Sequence, residues 1–170
     1  LFDAKGHVVP FDHGYITLVY DTRAIKAEDL PKTFEDLTDP RFKNKIIAID
    51  PRTSSVGHAL LMWTIKHYGE DGFVDYWRRL APNLLTIAGG WSAAYKMFTN
   101  GDAPIVVSYA TDTAYAVMEG LGPIYGVLPL HDAGYLQIEG VGIVRTSKNV
   151  DLAHAFVDYL LSPEVQELIP

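Results

Sequence analysis

The sequence predicts an α/β fold, a three-layer sandwich with helices packed on a mixed or mostly parallel sheet. Three observations lead there. Short apolar runs alternate with segments of helical periodicity, the pattern of strands joined by crossover helices. Turn-forming residues punctuate them, at Asp50-Pro51, Gly89-Gly90 and Asn100-Gly101. Hydrophobic residues make up 48% of the chain and charged residues 21%, the balance of an ordinary globular core.

The elements follow in order. Residues 16–20, Ile-Thr-Leu-Val-Tyr, are β-branched and aromatic and read as a strand ending at Asp21-Thr22-Arg23. Residues 33–37 read as a short helix with Thr33 as cap and Asp36 as the acidic member of a capping box. Asp39-Pro40 ends it, because the residue before a proline is pushed out of helical conformation. Ile46–Ile49 is a buried strand. Leu60, Leu61, Ile65 and Tyr68 carry helical spacing through residues 56–68, and Gly69 ends that segment. A second helix over 73–80 places Phe73, Trp77 and Leu80 on one face. Leu84–Ala88 is a strand, residues 92–98 a helix, residues 104–109 a strand and residues 112–119 a helix closed by Gly120. Residues 125–128 and 138–144 are further strands. Asp151 is expected to cap a helix over 152–161, with Leu152, Phe156 and Leu160 at i, i+4 and i+8. Ser162-Pro163-Glu164 opens a last helix, serine as cap and proline at the first position.

Composition removes several function classes. A length of 170 residues fits one domain. A net charge of −7 argues against nucleic acid, which needs a basic face. With no cysteine there is no thiol nucleophile, thiolate metal site or disulfide. No apolar run reaches the roughly 18 residues of a membrane span. The chain begins at Leu1 rather than methionine, which is expected of a processed chain or a piece of a longer one.

In open α/β sheets ligands bind where strands end and helices begin. Three junctions qualify. At Asp50-Pro51-Arg52-Thr53-Ser54-Ser55 three hydroxyl residues precede a helix, whose first amides lack internal partners and favour an anion or polar group. A plain cap needs only one hydroxyl. At Gly89-Gly90-Trp91-Ser92 paired glycines turn the chain tightly and set a large ring in a loop; the alternative is a Trp folded over the core. At Ser108-Tyr109-Ala110-Thr111-Asp112-Thr113-Ala114-Tyr115 two rings and a carboxylate meet near a strand end. Asp112 or Thr111 caps the helix that carries Tyr115, and for Asp112 the cap is the favoured reading. With Trp91, these rings form an aromatic box suited to flat or cationic ligands.

Catalytic signals are weak. Gly90-Trp91-Ser92-Ala93-Ala94 lacks the last glycine of a nucleophile elbow. There is no phosphate-binding glycine loop and no paired-histidine zinc motif. His7, His13, His58, His67, His131 and His154 are scattered, and no metal site is expected.

The junctions together resemble the thiamine-binding periplasmic proteins, the substrate-binding components of ABC importers. The resemblance rests on Asp50-Pro51-Arg52-Thr53-Ser54, Gly90-Trp91-Ser92 with Tyr95, Ser108-Tyr109 with Ala114-Tyr115, Tyr135-Leu136-Gln137-Ile138-Glu139 and Leu161-Ser162-Pro163. It runs from Val9 to the end of the chain. It implies one lobe of a periplasmic-binding-protein type II fold, two lobes closing on a ligand about a hinge. Residues 1–170 would be the C-terminal-type lobe, with hinge strands near 9–20 and 135–144 and the first lobe absent. The ligand implied is thiamine or thiamine phosphate, with no cofactor and no catalysis. The matching positions put Ser54 at the hydroxyl or phosphate end and Trp91, Tyr109 and Tyr115 around the ring. Between Ser54 and Trp91 the chain carries one residue more than the family pattern, so Ser55 is an alternative to Ser54. Asp112 stands where the family has a small hydroxyl; a carboxylate pairs with a thiazolium and repels a phosphate, which favours unphosphorylated thiamine. The partners implied are ABC importer membrane subunits. The location implied is periplasmic or extracytoplasmic, with a lipid anchor in the full-length parent as one form.

Two other readings stay open. One is a binding lobe for ferric iron, a polyamine or a phosphonate; Ala110 after Tyr109 argues against iron, which favours adjacent tyrosines there. The other is an α/β enzyme for a small phosphorylated substrate, with His58 as base. An isolated lobe exposes strands and aromatics, so a homodimer is expected.

Overall fold

The computed structural model describes Asp3, residues 5–130 and residues 134–169. His131 and Pro170 lie outside the described residues. The chain divides into two compact units, one of residues 15–135 and one of residues 1–14 with 136–170.

The larger unit is built on a mixed sheet. Its strands are β1 (Val9–Asp21, entering this unit at Tyr15), β2 (Ile46–Ile49), β3 (Leu84–Ala88), β4 (Ile105–Tyr109) and β5 (Tyr125–Val127). Their order is β3-β2-β4-β1-β5. β2 runs parallel to β3 and β4, while β1 is antiparallel to β4 and β5. Every residue of β2 is buried, as is β4 up to Ser108, which is why β2 and the first three residues of β4 read as apolar runs.

Helix α1 (Ser55–Leu80) joins β2 to β3, α2 (Trp91–Thr99) joins β3 to β4, and α3 (Asp112–Met118) joins β4 to β5. The step from β2 to β3 and the step from β3 back past β2 to β4 run in opposite directions. Right-handed crossovers therefore place α1 and α2 on opposite faces of the sheet. The step from β4 to β5 continues the second direction and puts α3 on the face of α2. The result is three layers, as expected. One core fills them, with Ile16, Val19, Ile47, Ala94, Phe98, Ile105 and Val106 at 1% exposure or less.

The two helices expected over 56–68 and 73–80 are one element with a break at Gly69, where φ is 75° and ψ 170°. Only glycine adopts that backbone without strain. The helix expected over 33–37 is a single 3₁₀ turn, Asp36–Thr38. Its capping box forms in full: the Asp36 amide donates to Thr33 Oγ1 at 3.0 Å and the Thr33 amide to Asp36 Oδ2 at 3.0 Å. Asp39-Pro40 stops it before an α-turn can develop, and the Asn83 side chain ties the segment down by donating to the Leu37 and Asp39 carbonyls at 2.7 Å.

The smaller unit contains the first part of β1, strand β6 (Tyr135–Val141, from Leu136 on) and helices α4 (Val150–Leu160) and α5 (Pro163–Gln166). β6 pairs with β1. α5 is tied to β1 by Gln166 Nε2, which donates to the Phe11 carbonyl at 3.0 Å. α4 starts two residues earlier than expected. Asn149, not Asp151, is the N-cap, and its side chain makes no capping bond. The apolar stripe of α4 is open: Leu152 is 70% and Phe156 58% exposed. No residue of α4 or α5 is buried. Among the described residues no helix is long and apolar enough to cross a membrane.

Candidate functional site

The three junctions lie at the carboxyl ends of β2, β3 and β4, which are parallel and adjacent. They therefore share one edge of the sheet, within the larger unit. Cross-bonds hold them together. The Asp50 amide donates to the Ala88 carbonyl at 2.9 Å. Thr53 Oγ1 donates to the Gly89 carbonyl at 2.8 Å. Trp91 Nε1 donates to Ser108 Oγ at 2.8 Å.

The first junction is set by Asp50. Its carboxylate accepts from the Arg52 amide at 2.9 Å and from the Arg52 guanidinium at 2.6 Å. That partner holds the Asp50 carboxyl down to about 2. The turn delivers Ser54 to the N-cap of α1 in extended conformation, yet the Ser54 hydroxyl makes no capping bond. Ser54 is half-buried and Ser55, the first helical residue, is exposed. The first turn of α1 contains no acidic side chain, so its partial positive charge is not neutralised from within. Two residues on, a Cβ on Gly57 would lie 2.4 Å from the Ile49 carbonyl oxygen. Glycine there lets the helix start directly against the end of β2.

At the second junction Trp91 is the first residue of α2 rather than a loop residue, with Gly90 as N-cap. One turn later Tyr95 stacks on it, with centroids 4.9 Å apart and planes 18° apart. Tyr109, at the end of β4, meets the same indole edge-on at 5.7 Å and 66°. Tyr95 was present in the family resemblance but not among the expected ligand residues; its i, i+4 spacing from Trp91 is the signal that finds it.

At the third junction Asp112 does not cap. Thr111 is the N-cap, without a side-chain bond, and Asp112 stands in the first turn of α3 at 5% exposure. Burial pushes its carboxyl up to about 6, opposed by a hydrogen bond from Ser108. Asp112 Oδ2 has no partner among the described residues. Ser108 Oγ thus accepts from Trp91 and also lowers the Asp112 carboxyl, which places both groups at one strand serine. Ser108 was not among the expected site residues, since a strand serine gives no sign from sequence of which ring it meets. Tyr95 is pushed up to about 12, first by burial and then by the charge of Asp112, with Tyr125 and Tyr115 adding to the rise. Tyr115 is 52% exposed, farther out than the Trp91–Tyr95 stack.

The arrangement has two poles. A helix start with an uncommitted hydroxyl lies at Ser54, and stacked rings backed by a buried carboxylate lie at Trp91, Tyr95, Tyr109 and Asp112. His58, the base of the enzyme reading, is an exposed residue of α1. Among the described residues no cluster of three His, Cys, Asp or Glu is placed to hold a metal ion. A cleft of about 540 Å³ in the smaller unit is lined by His7, Val9, Val141, Arg145, His154 and Val157 among others; none of the junction residues borders it.

An open mixed sheet with rings and a helix start gathered at its carboxyl edge is the frame of a solute-binding module. The chain belongs to the bacterial extracellular solute-binding protein family, which it matches over residues 1–170. It is 36% identical over 162 residues to the thiamine-binding periplasmic protein of Escherichia coli K12, covering 95% of this chain and 49% of that protein. The protein of the same description from Salmonella typhimurium is 38% identical over the same length. Among solved structures, a periplasmic thiamin binding protein superposes with a TM-score of 0.86 at 35% identity, over 95% of this chain and 50% of the other. AfuA from Actinobacillus pleuropneumoniae, with fructose-6-phosphate bound, superposes with a TM-score of 0.82 at 25% identity, over 95% of this chain and 51% of the other. The chain spans about half the length of the curated relatives it matches.

Proposed function

We propose that this chain is the ring-holding lobe of a periplasmic thiamine-binding protein that passes its ligand, without chemical change, to the membrane subunits of an ABC importer. The observation that carries this is the Trp91–Tyr95 stack with Tyr109 at its edge, set beside an uncommitted helix start at Ser54. A flat thiazolium cation suits the ring faces, and its hydroxyethyl arm suits the hydroxyl and first-turn amides of α1. The names of the relatives agree with this ligand and this compartment. Asp112, beside the rings, favours the unphosphorylated form over a phosphate ester. Ser55 and Tyr115, both more exposed, form the rim. In this reading residues 9–20 and 135–144 are the hinge strands, and the opposite wall of the cleft comes from outside this lobe.

Titration of thiamine into the chain, followed by tryptophan fluorescence, tests it. A single wall binds weakly, since closed pockets bury most of a ligand, but the quench should saturate. Trp91→Ala should weaken binding by more than tenfold, roughly the 1.4 kcal/mol or more expected of a lost ring–cation contact. Unchanged affinity in that variant rules out the aromatic site. Turnover of a thiamine phosphate that His58→Ala abolishes would instead favour the enzyme.

A further inference from the structure

We propose that Asp112 is the charge-selecting residue of this site: its carboxylate, linked to the Trp91 indole through Ser108, makes the ring site prefer a cation over a neutral ring of the same shape and releases that cation when it is protonated. The inference rests on the aromatic site being the ligand site.

The geometry carries it. Asp112 is 5% exposed, yet one of its oxygens, Oδ2, has no partner among the described residues. A buried, half-satisfied carboxylate is costly, and structural roles leave few such groups unexplained. Capping does not explain it, because Thr111 holds the cap position. Ser108 stands between the two groups: its Oγ accepts from Trp91 Nε1 at 2.8 Å, and the same side chain favours the ionised form of Asp112.

Among the described residues, the groups shown to interact with Asp112 supply no cation. From β4 it meets Ser108; its charge also reaches Tyr95 of α2 and Tyr125 of β5. All three are neutral near pH 7, and burial raises both phenols further. A bound cation would therefore be the positive partner of this carboxylate. Low local dielectric lets the charge act on a cation seated over the rings without direct contact. Linkage makes the effect reciprocal: a cation that favours ionised Asp112 lowers its proton affinity, and protonation weakens the cation. The carboxyl titrates at about 6, so the switch lies in mildly acidic solution.

The test uses two probes, an N-alkylated thiazolium with no titratable group and the neutral thiazole of the same substitution. Both are titrated into the chain from pH 5 to pH 8, alongside thiamine. The cation should gain about fivefold in affinity over this range, the part of a one-unit pK coupling that falls between pH 5 and pH 8, while the neutral ring stays level. Asp112→Asn should remove the pH dependence and the preference. Should that variant misfold, the carboxyl carbon signal of Asp112 in the unmodified chain decides the matter, since its midpoint must fall when the thiazolium is added. Equal, pH-independent binding of both probes, or an unmoved Asp112 midpoint, overturns the inference while leaving the thiamine reading intact if thiamine still binds. Failure of thiamine and both probes to bind overturns both.

Discussion

At the scale of the residue, Asp112 ties stability to pH in the sense opposite to most carboxylates. Its folded value of about 6 lies above the ordinary 3.8, so between these values the folded chain binds more protons than the unfolded one. The contribution of this group to stability is then fully present below about pH 4 and lost as pH rises through 6. Two pK units correspond to at most about 3 kcal/mol. Asp112→Asn should therefore raise the urea midpoint at pH 8 and not at pH 4; an equal effect at both values would show that burial does not perturb this carboxyl. Asp50 behaves in the usual way, its carboxyl held down by Arg52. It lends stability above its ordinary value and loses it as pH falls toward 2. Much of this is legible in the sequence only as residue types. Trp91, Tyr109 and the hydroxyls at 53–55 stand out at their junctions. The Ser108 hydroxyl does not, because its role depends on which strand lies under α2.

At the scale of the element, the junction of β2 with α1 depends on a close approach of two backbones. A methyl group at Gly57 would meet the Ile49 carbonyl oxygen at 2.4 Å and the Asp50 carbonyl carbon at 2.9 Å. Backbone cannot swing aside like a long side chain. Gly57→Ala should cost about 1–3 kcal/mol, read from denaturant melts, and should displace the start of α1 at Ser54. A neutral substitution would show that the helix start has room to shift. Local pattern predicts most elements here because the core-facing runs are simple. β2 is a continuous apolar segment, β4 opens with three apolar residues, and helical periodicity breaks at Gly69 where the helix breaks. Pattern fails where the backbone is held from elsewhere. Residues 9–15 contain Pro10, Asp12, His13 and Gly14, which no strand template favours, yet they continue β1. Asp151 has the chemistry of a cap, but the chain enters α4 two residues earlier.

At the scale of the whole molecule, the two units differ in how far they bury their apolar residues. Phe98 in the larger unit is 1% exposed and packs on Tyr125 at 4.7 Å. Phe156 in the smaller unit is 58% exposed, beside Leu152 at 70% and Tyr159 at 53%. Phe98→Ala should cost about 3–5 kcal/mol, whereas Phe156→Ala should change stability by less than about 0.5 kcal/mol. An open apolar face also favours self-association. Sedimentation of the chain at high concentration should show a dimer that Phe156→Ala weakens; a monomer throughout would exclude pairing through α4. The sequence marks Leu152, Phe156 and Leu160 as one apolar stripe. A stripe states that a surface is to be covered and is silent on what covers it.

By itself the sequence determined the α/β class, the order of its strands and helices along the chain and the three junctions where a ligand is expected. Those properties follow from local periodicity, turn residues and caps, which act over a few neighbours. Only the tertiary structure decided the strand order, which makes β2, β3 and β4 parallel neighbours and so brings the three junctions to one edge. It also decided that Tyr95 stacks on Trp91, and that Asp112 is buried behind Ser108 rather than exposed as a cap. The physical reason is range. Strand pairing and the burial of a charge depend on residues tens of positions apart, and no local pattern records which of them meet.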